Sequence, residues 1–125
     1  AGDASSDVRR TLKKLNIDPR IIRRVVVALY EAEINVVAHA WEGTMEVDIS
    51  GEEISSYLKD DGPGIIDIDK AMEEGYTTAT EKVREMGFGA GMGLPNIKRN
   101  TDKMNIESVP GKGTEIKFVV LMKQK

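Results

Sequence analysis

Cysteine is missing from this chain altogether, and histidine occurs only once, at position 39. The first absence excludes a disulfide framework and thiolate chemistry, and the two together leave a zinc centre without its usual ligands. A chain without disulfides fits a reducing compartment. No apolar run approaches the roughly 18–20 residues that a bilayer-crossing helix needs, and the N-terminus carries no signal-peptide pattern. The net charge of −3 gives no reason to expect non-specific nucleic-acid affinity from the chain as a whole. Internal repeats and low-complexity tracts are absent too.

What is present suits a soluble globular domain: 40% hydrophobic and 31% charged residues in 125, enough for one domain with one core. One local bias runs against the overall acidity. Arg9, Arg10, Lys13, Lys14, Arg20, Arg23 and Arg24 make the first two dozen residues basic. Solvated faces of amphipathic helices explain them; a docking surface for an acidic protein partner is the sharper reading.

Periodicity divides the chain cleanly. Val8, Leu12 and Leu15 recur at helical spacing within residues 5–16, with Ser5 or Ser6 available as N-cap. Asp18-Pro19 then opens a longer helix reaching about Ala40, with Asp18 placed to cap and Pro19 at the first helical position. Its apolar stripe is Ile22, Val25, Val26, Leu29, Ala32 and Val36. After Gly43 the period becomes two. Met45, Val47 and Ile49 alternate with acidic residues, a turn containing Gly51 follows, and Ile54, Ser56 and Leu58 continue on a second strand ending at Asp60. A short helix is expected over 67–74, then a long glycine- and threonine-containing connection over 75–93, a length typical of lids and binding loops. Leu94–Thr101 reads as a helix with Pro95 in its first turn. Two strands, Met104–Val109 and Thr114–Met122, close the chain around PGKG. Helices and grouped strands in this order predict an α+β, two-layer sandwich: a mainly antiparallel sheet with helices on one face.

The segment GFGAGMGLPNIKR places Gly87, Gly89, Gly91 and Gly93 at alternate positions before the helix expected from Leu94. The dinucleotide fingerprint G-x-G-x-x-G fails here, because the spacing is wrong and no strand precedes it. The P-loop pattern fails as well: Gly113 intrudes between Lys112 and Thr114, and a strand follows. A glycine-rich loop feeding a helix N-terminus remains, able to aim backbone N–H groups at phosphate or to act as a hinge.

Two other segments bear on that choice. Glu31, Asn35 and His39 recur every four residues and so share one side of the long helix. A carboxylate and an amide one turn apart suit a magnesium ion that keeps most of its waters, although a polar stripe on a surface helix would look the same. Asp61-Gly62-Pro63-Gly64-Ile65 ends a strand with a carboxylate able to accept from an amino group, and Gly64 lets backbone approach a flat ring; a tight turn is the plainer reading.

As an ordered set these segments resemble the GHKL (Bergerat-fold) ATPase superfamily over nearly the whole chain. EAEINVVAHA is similar to its N-box, DDGPGI to its first glycine box, GAGMGL to its second, and PGKGT to its final glycine segment. Within the superfamily the resemblance is strongest to bacterial anti-sigma factors that are serine/threonine protein kinases. The domain is small, the N-box continues into His39-Ala40, and the lid is short, with Tyr76-Thr77-Thr78 in it.

That resemblance implies one histidine-kinase-like ATP-binding domain over 1–125, lacking the N-terminal strand with which members usually begin. It implies ATP or ADP and Mg²⁺ as ligands, with Glu31 as the general base and Asn35 holding the metal. Asp61 would bond the adenine amino group, supported by Thr114, with Gly64 and Ile65 lining the adenine pocket. Gly89, Ala90, Gly91, Met92, Gly93 and Leu94 would wrap the phosphates. His39 would be a phosphate-side contact or a packed helix histidine. The implied partners are a sigma factor and a STAS-type antagonist whose serine or threonine receives the γ-phosphate. A cytoplasmic location is implied, with no direct contact to nucleic acid or membrane, and a homodimer through the sheet region is allowed. Two alternatives stand beside it: the catalytic ATP-binding domain of a two-component histidine kinase, and a non-catalytic nucleotide-sensing module.

Overall fold

The computed structural model describes residues 3–38, 43–61, 72, 93–109 and 111–123, of which 35–38 by backbone alone. Three helices and four strands occupy these residues. They are α1 (Asp3–Lys14), α2 (Pro19–Ala38), β1 (Gly43–Ile49), β2 (Glu53–Asp60), α3 (Gly93–Arg99), β3 (Lys103–Val109) and β4 (Gly113–Leu121). Apart from Met72 and Gly93, the helix expected over 67–74 and the connection over 75–93 lie outside the described residues.

Local chemistry accounts for the junction between the first two helices. Asn16 takes φ 57°, the left-handed conformation that asparagine tolerates better than most residues. Its N–H donates to the Lys13 carbonyl at 3.1 Å, and the Ile17 N–H reaches the Leu12 carbonyl at 3.2 Å, which together satisfy two otherwise orphaned acceptors. Asp18 then caps α2, accepting from the Arg20 N–H at 2.8 Å, with Pro19 at the first position as expected. The Arg20 guanidinium also donates to this carboxylate, at 2.9 Å, and it, followed by the Arg20 N–H, holds the Asp18 carboxyl below its ordinary range.

The start of α1 differs from expectation. The helix begins at Asp3, and Ser5 lies inside it instead of capping it. The cap comes from α2: the Glu33 carboxylate accepts from the Ser5 N–H at 2.8 Å and from the Ala4 N–H at 3.3 Å. An anion at a helix N-terminus is favoured twice over, by the unsatisfied N–H groups and by the macrodipole. At the other end α1 stops at Lys14, so Leu15 leaves the apolar stripe and is 54% exposed.

The four strands form one sheet in the order β1-β2-β4-β3, every neighbouring pair antiparallel. Strand alternation sorts the faces. Ile54, Ser56 and Leu58 of β2 and Thr114, Ile116, Phe118 and Val120 of β4 are buried beneath the helices. Met45, Val47, Met104 and Ile106 of the edge strands pack against the same core. From the helix layer, Leu12, Ile22, Val25, Leu29, Ala32, Leu94 and Ile97 complete it, and α2 packs against both α1 and α3. Ile21 and Ala28 are buried as well, so the apolar face of α2 is wider than the stripe expected for it.

The other sheet face carries charge. Lys59 lies 3.8 Å from Glu115, and the Tyr57 hydroxyl donates to Glu115. That bond, then burial, then the charges of Glu115, Glu46 and Glu107, push the phenol above its usual value.

Part of the N-terminal basic bias is used within the fold. Arg10 pairs with Asp7 and Arg20 with Asp18, both on the surface. Arg24 reaches across to Asp102 at 3.2 Å, with each side chain only a quarter exposed. Asp102 also accepts from the Leu121 N–H at 2.7 Å and donates its own N–H to the Val119 carbonyl at 2.8 Å. One carboxylate therefore ties α2 to the approach to β3 and to the end of β4.

Candidate active site

The C-terminal end of β2 and the start of β4 meet side by side. Asp60 is the Cα partner of Thr114, and Gly43 lies on the far side of Asp60. Alternation decides which aspartate faces inward. Asp60 follows Ile54, Ser56 and Leu58 on the helix-facing side and is half-buried, whereas Asp61 lies beyond the last ladder pair and is exposed. The sequence pattern points to Asp61 as the adenine-bonding carboxylate; in the sheet register it is Asp60 that lies beside Thr114. The period of two along β2 was the signal that could have found it.

Glycine is required where β4 begins. Gly113 sits at φ 138°, and a Cβ there would come within 2.1 Å of the Asp60 carbonyl oxygen. The missing side chain thus lets β4 pass directly against the backbone that carries Asp60. Beside it, Thr114 is 5% exposed, and its Oγ1 lies 3.0 Å from the Ser108 Oγ on β3. Ser108 also donates to the Gly113 carbonyl at 3.1 Å.

A second cluster joins α2 to α3. Glu31 is half-buried in α2, and its Oε1 accepts from the Asn96 Nδ2 at 3.4 Å. The Asn96 Oδ1 accepts in turn from Arg99 one turn along α3. A guanidinium has only donors and an ionised carboxylate only acceptors, so one orientation of the Asn96 amide satisfies both neighbours. The carboxylate is held against the first turn of α3, into which the glycine-rich segment runs.

The remaining expected site residues are distributed as follows. Asn35 is on α2 one turn beyond Glu31. Gly93 opens α3. The Leu94 side chain is buried in the core at 7% exposure, so only its backbone can face a ligand. His39, Gly64, Ile65, Gly89, Ala90, Gly91 and Met92 lie outside the described residues. Among the described residues no three His, Cys, Asp or Glu side chains cluster to hold a metal, and no helix is long and apolar enough to cross a membrane. Asn96, Arg99, Ser108 and Asp60 were not singled out in the sequence: Asn96 and Asp60 meet partners distant along the chain, Glu31 and Thr114, while Arg99 acts on Asn96 and Ser108 on Thr114 across the last hairpin.

Comparison with known proteins fits this geometry. A family profile described as the histidine kinase-like ATPase domain matches residues 2–120. An anti-sigma F factor from Thermoanaerobacter sp. (strain X514) is 37% identical over 109 residues, covering 82% of this chain and 73% of the relative. The serine/threonine-protein kinase RsbT of Bacillus subtilis (strain 168) is 33% identical over 115 residues, covering 89% of this chain and 80% of RsbT. Among solved structures, the mycobacterial sensor histidine kinase MprB superposes with a TM-score of 0.59 at 16% identity, over 80% of this chain and 71% of that one, a likeness of fold alone. The chain belongs to the histidine kinase-like (GHKL) ATPase family, and its α+β architecture of helices over an antiparallel sheet is the fold of that family.

Proposed function

We propose that this chain is an ATP-binding anti-sigma regulator with serine/threonine protein kinase activity, acting on a STAS-type antagonist protein in the cytoplasm. The observation that carries the catalytic part is the hydrogen bond between Glu31 and Asn96, which holds a helix-borne carboxylate at the helix following the glycine-rich run. The names of the relatives, an anti-sigma F factor and a serine/threonine-protein kinase, support the regulatory part.

The residues present suit an adenine nucleotide. Asp60 and Thr114 offer acceptors at a strand end where Gly113 leaves no side chain in the way. We assign the adenine-bonding carboxylate to Asp60 in place of Asp61, on the ground of its inward face. By the family resemblance Gly64 and Ile65 would line the ring and the backbone of residues 89–94 would wrap the phosphates; of these, Gly93 and Leu94 are among the described residues. Asn35 would hold a magnesium ion that neutralises phosphate charge, one protein ligand being enough for a cation that keeps its waters. Glu31 orients the acceptor hydroxyl and takes its proton as the oxygen bonds to the γ-phosphorus and ADP leaves. Positioning and charge neutralisation supply most of the rate in such transfers. Glu31 contributes about 10²–10⁴-fold.

Calorimetry with ATP and Mg²⁺, beside intact-mass measurement of candidate antagonists, tests this reading. Asp60→Ala should abolish ATP binding while Asp61→Ala retains it. Glu31→Ala should keep ATP affinity and lose phosphotransfer. No heat with any adenine nucleotide, or equal affinity in wild type and Asp60→Ala, would refute the site; no phosphoprotein across a fair set of antagonists would refute the kinase.

A further inference from the structure

We infer that Ser108, on the strand next to Thr114, is a specificity-determining residue that makes the base pocket select a 6-amino over a 6-oxo purine. The inference rests on the reading above, that Asp60 and Thr114 receive the base. It concerns one proton. A serine hydroxyl has a single hydrogen to give, together with lone pairs that accept. Ser108 Oγ donates to the Gly113 carbonyl at 3.1 Å. With that hydrogen committed, the 3.0 Å contact between Ser108 Oγ and Thr114 Oγ1 has Thr114 as its donor.

The consequence falls on the pocket. Thr114 is 5% exposed, and on this assignment its hydroxyl hydrogen goes to Ser108 on β3. What it offers a ligand, directly or through a water, is lone pairs only. Asp60, its Cα partner on the same face, is an acceptor when ionised. The two side chains therefore present acceptors only. An exocyclic amino group supplies the hydrogens that such a pair needs. A 6-oxo group supplies none and sets its lone pairs against theirs, a mismatch that costs discrimination because buried polar groups stay unpaired.

Gly113 keeps this arrangement in register. Its carbonyl is the acceptor that fixes Ser108, and the absence of a side chain keeps β4 against Asp60. Ser108 itself need touch no ligand. It acts through the rotor of Thr114, which would otherwise be able to turn and donate.

The test is the ratio of dissociation constants for ATP and inosine triphosphate, measured by calorimetry with Mg²⁺ on the full chain. Inosine triphosphate carries a 6-oxo group where ATP carries the amino group. Ser108→Ala releases the Thr114 hydrogen, and the preference for ATP should fall by about tenfold, the worth of one neutral hydrogen bond. Ser108→Thr keeps a hydroxyl on β3 and should restore the wild-type ratio. A purely structural role would weaken both nucleotides together and leave the ratio unchanged. If Ser108→Ala does not fold, Ser108→Cys, with its weak thiol partner, should lower the ratio by at least about threefold. A ratio within twofold of wild type in the folded variant overturns the inference. Should Asp60→Ala also retain wild-type ATP affinity, the reading of the site has failed; should it abolish binding, only the role of Ser108 has.

Discussion

Replacing Gly113 by alanine should open the junction of β2 and β4, and its cost can be worked from two features of the structure. A φ of 138° is a region that side-chain-bearing residues rarely enter, at about 1–3 kcal/mol. The added Cβ would stand 2.1 Å from the Asp60 carbonyl oxygen and 3.1 Å from the Asp61 Cα. Both neighbours are backbone, so no side chain can swing aside. Restoring an ordinary contact means moving β4 about an ångström from β2, which weakens at least one ladder hydrogen bond, worth about 1 kcal/mol. The total is about 2–4 kcal/mol. With an unfolding entropy of about 2.1 cal/mol/K per residue over 125 residues, each kcal/mol lowers the melting temperature by about 4 °C. Gly113→Ala should therefore melt about 8–16 °C below wild type, with ATP affinity reduced at least about tenfold at a temperature where it is still folded. Gly51→Ala is the control, because a Cβ there meets nothing within 4 Å and φ is unexceptional. Scanning calorimetry reads stability and titration calorimetry reads affinity. A Gly113→Ala protein that melts within about 3 °C of wild type would refute the packing argument. Normal melting depression with unchanged ATP affinity would instead refute the placement of the base at this junction.

Glu33→Ala removes the acceptor of the Ser5 and Ala4 N–H groups and the negative charge at the start of α1. It should cost about 1–2 kcal/mol, read by urea unfolding, and stability within error of wild type would show that water caps α1 equally well. Alkaline stability should depend on Tyr57, whose phenol is raised by its bond to Glu115 and by neighbouring carboxylates. The sign follows from linkage: a raised acid contributes stability that is whole below the unfolded value of about 10 and is lost as pH climbs through the folded one. As pH rises above about 10, wild type should lose stability more steeply than Tyr57→Phe, and parallel unfolding curves for the two would contradict the assignment.

Much of the candidate site's pattern was legible because its signals are local. Four-residue spacing puts Glu31 and Asn35 on one side of α2 whatever surrounds them. The glycine-rich run and PGKG mark places where backbone must come close to something, and Gly113 meets the Asp60 carbonyl as such a mark implies. The choice between Asp60 and Asp61 was open to the same reasoning, since the alternation of Ile54, Ser56 and Leu58 carries on to Asp60. Asn96 and Ser108 carried no signal, since an asparagine on a helix and a serine on a strand become informative only when the atom they touch is known.

The chain by itself determined its elements: the helix stop at Asn16, the cap at Asp18-Pro19, the alternation of β2 and β4, and the turn at Gly111 all follow from interactions spanning a few residues. Tertiary structure decided who meets whom. The order β1-β2-β4-β3 sets β4 between β2 and β3, so that Thr114 has Asp60 on one side and Ser108 on the other. Packing of α2 against both other helices turns Glu33 into the cap of α1 and Glu31 into the partner of Asn96. Residues two apart on a helix point to nearly opposite sides, so the same short run serves two neighbours, and which neighbours those are is fixed only when the layers close.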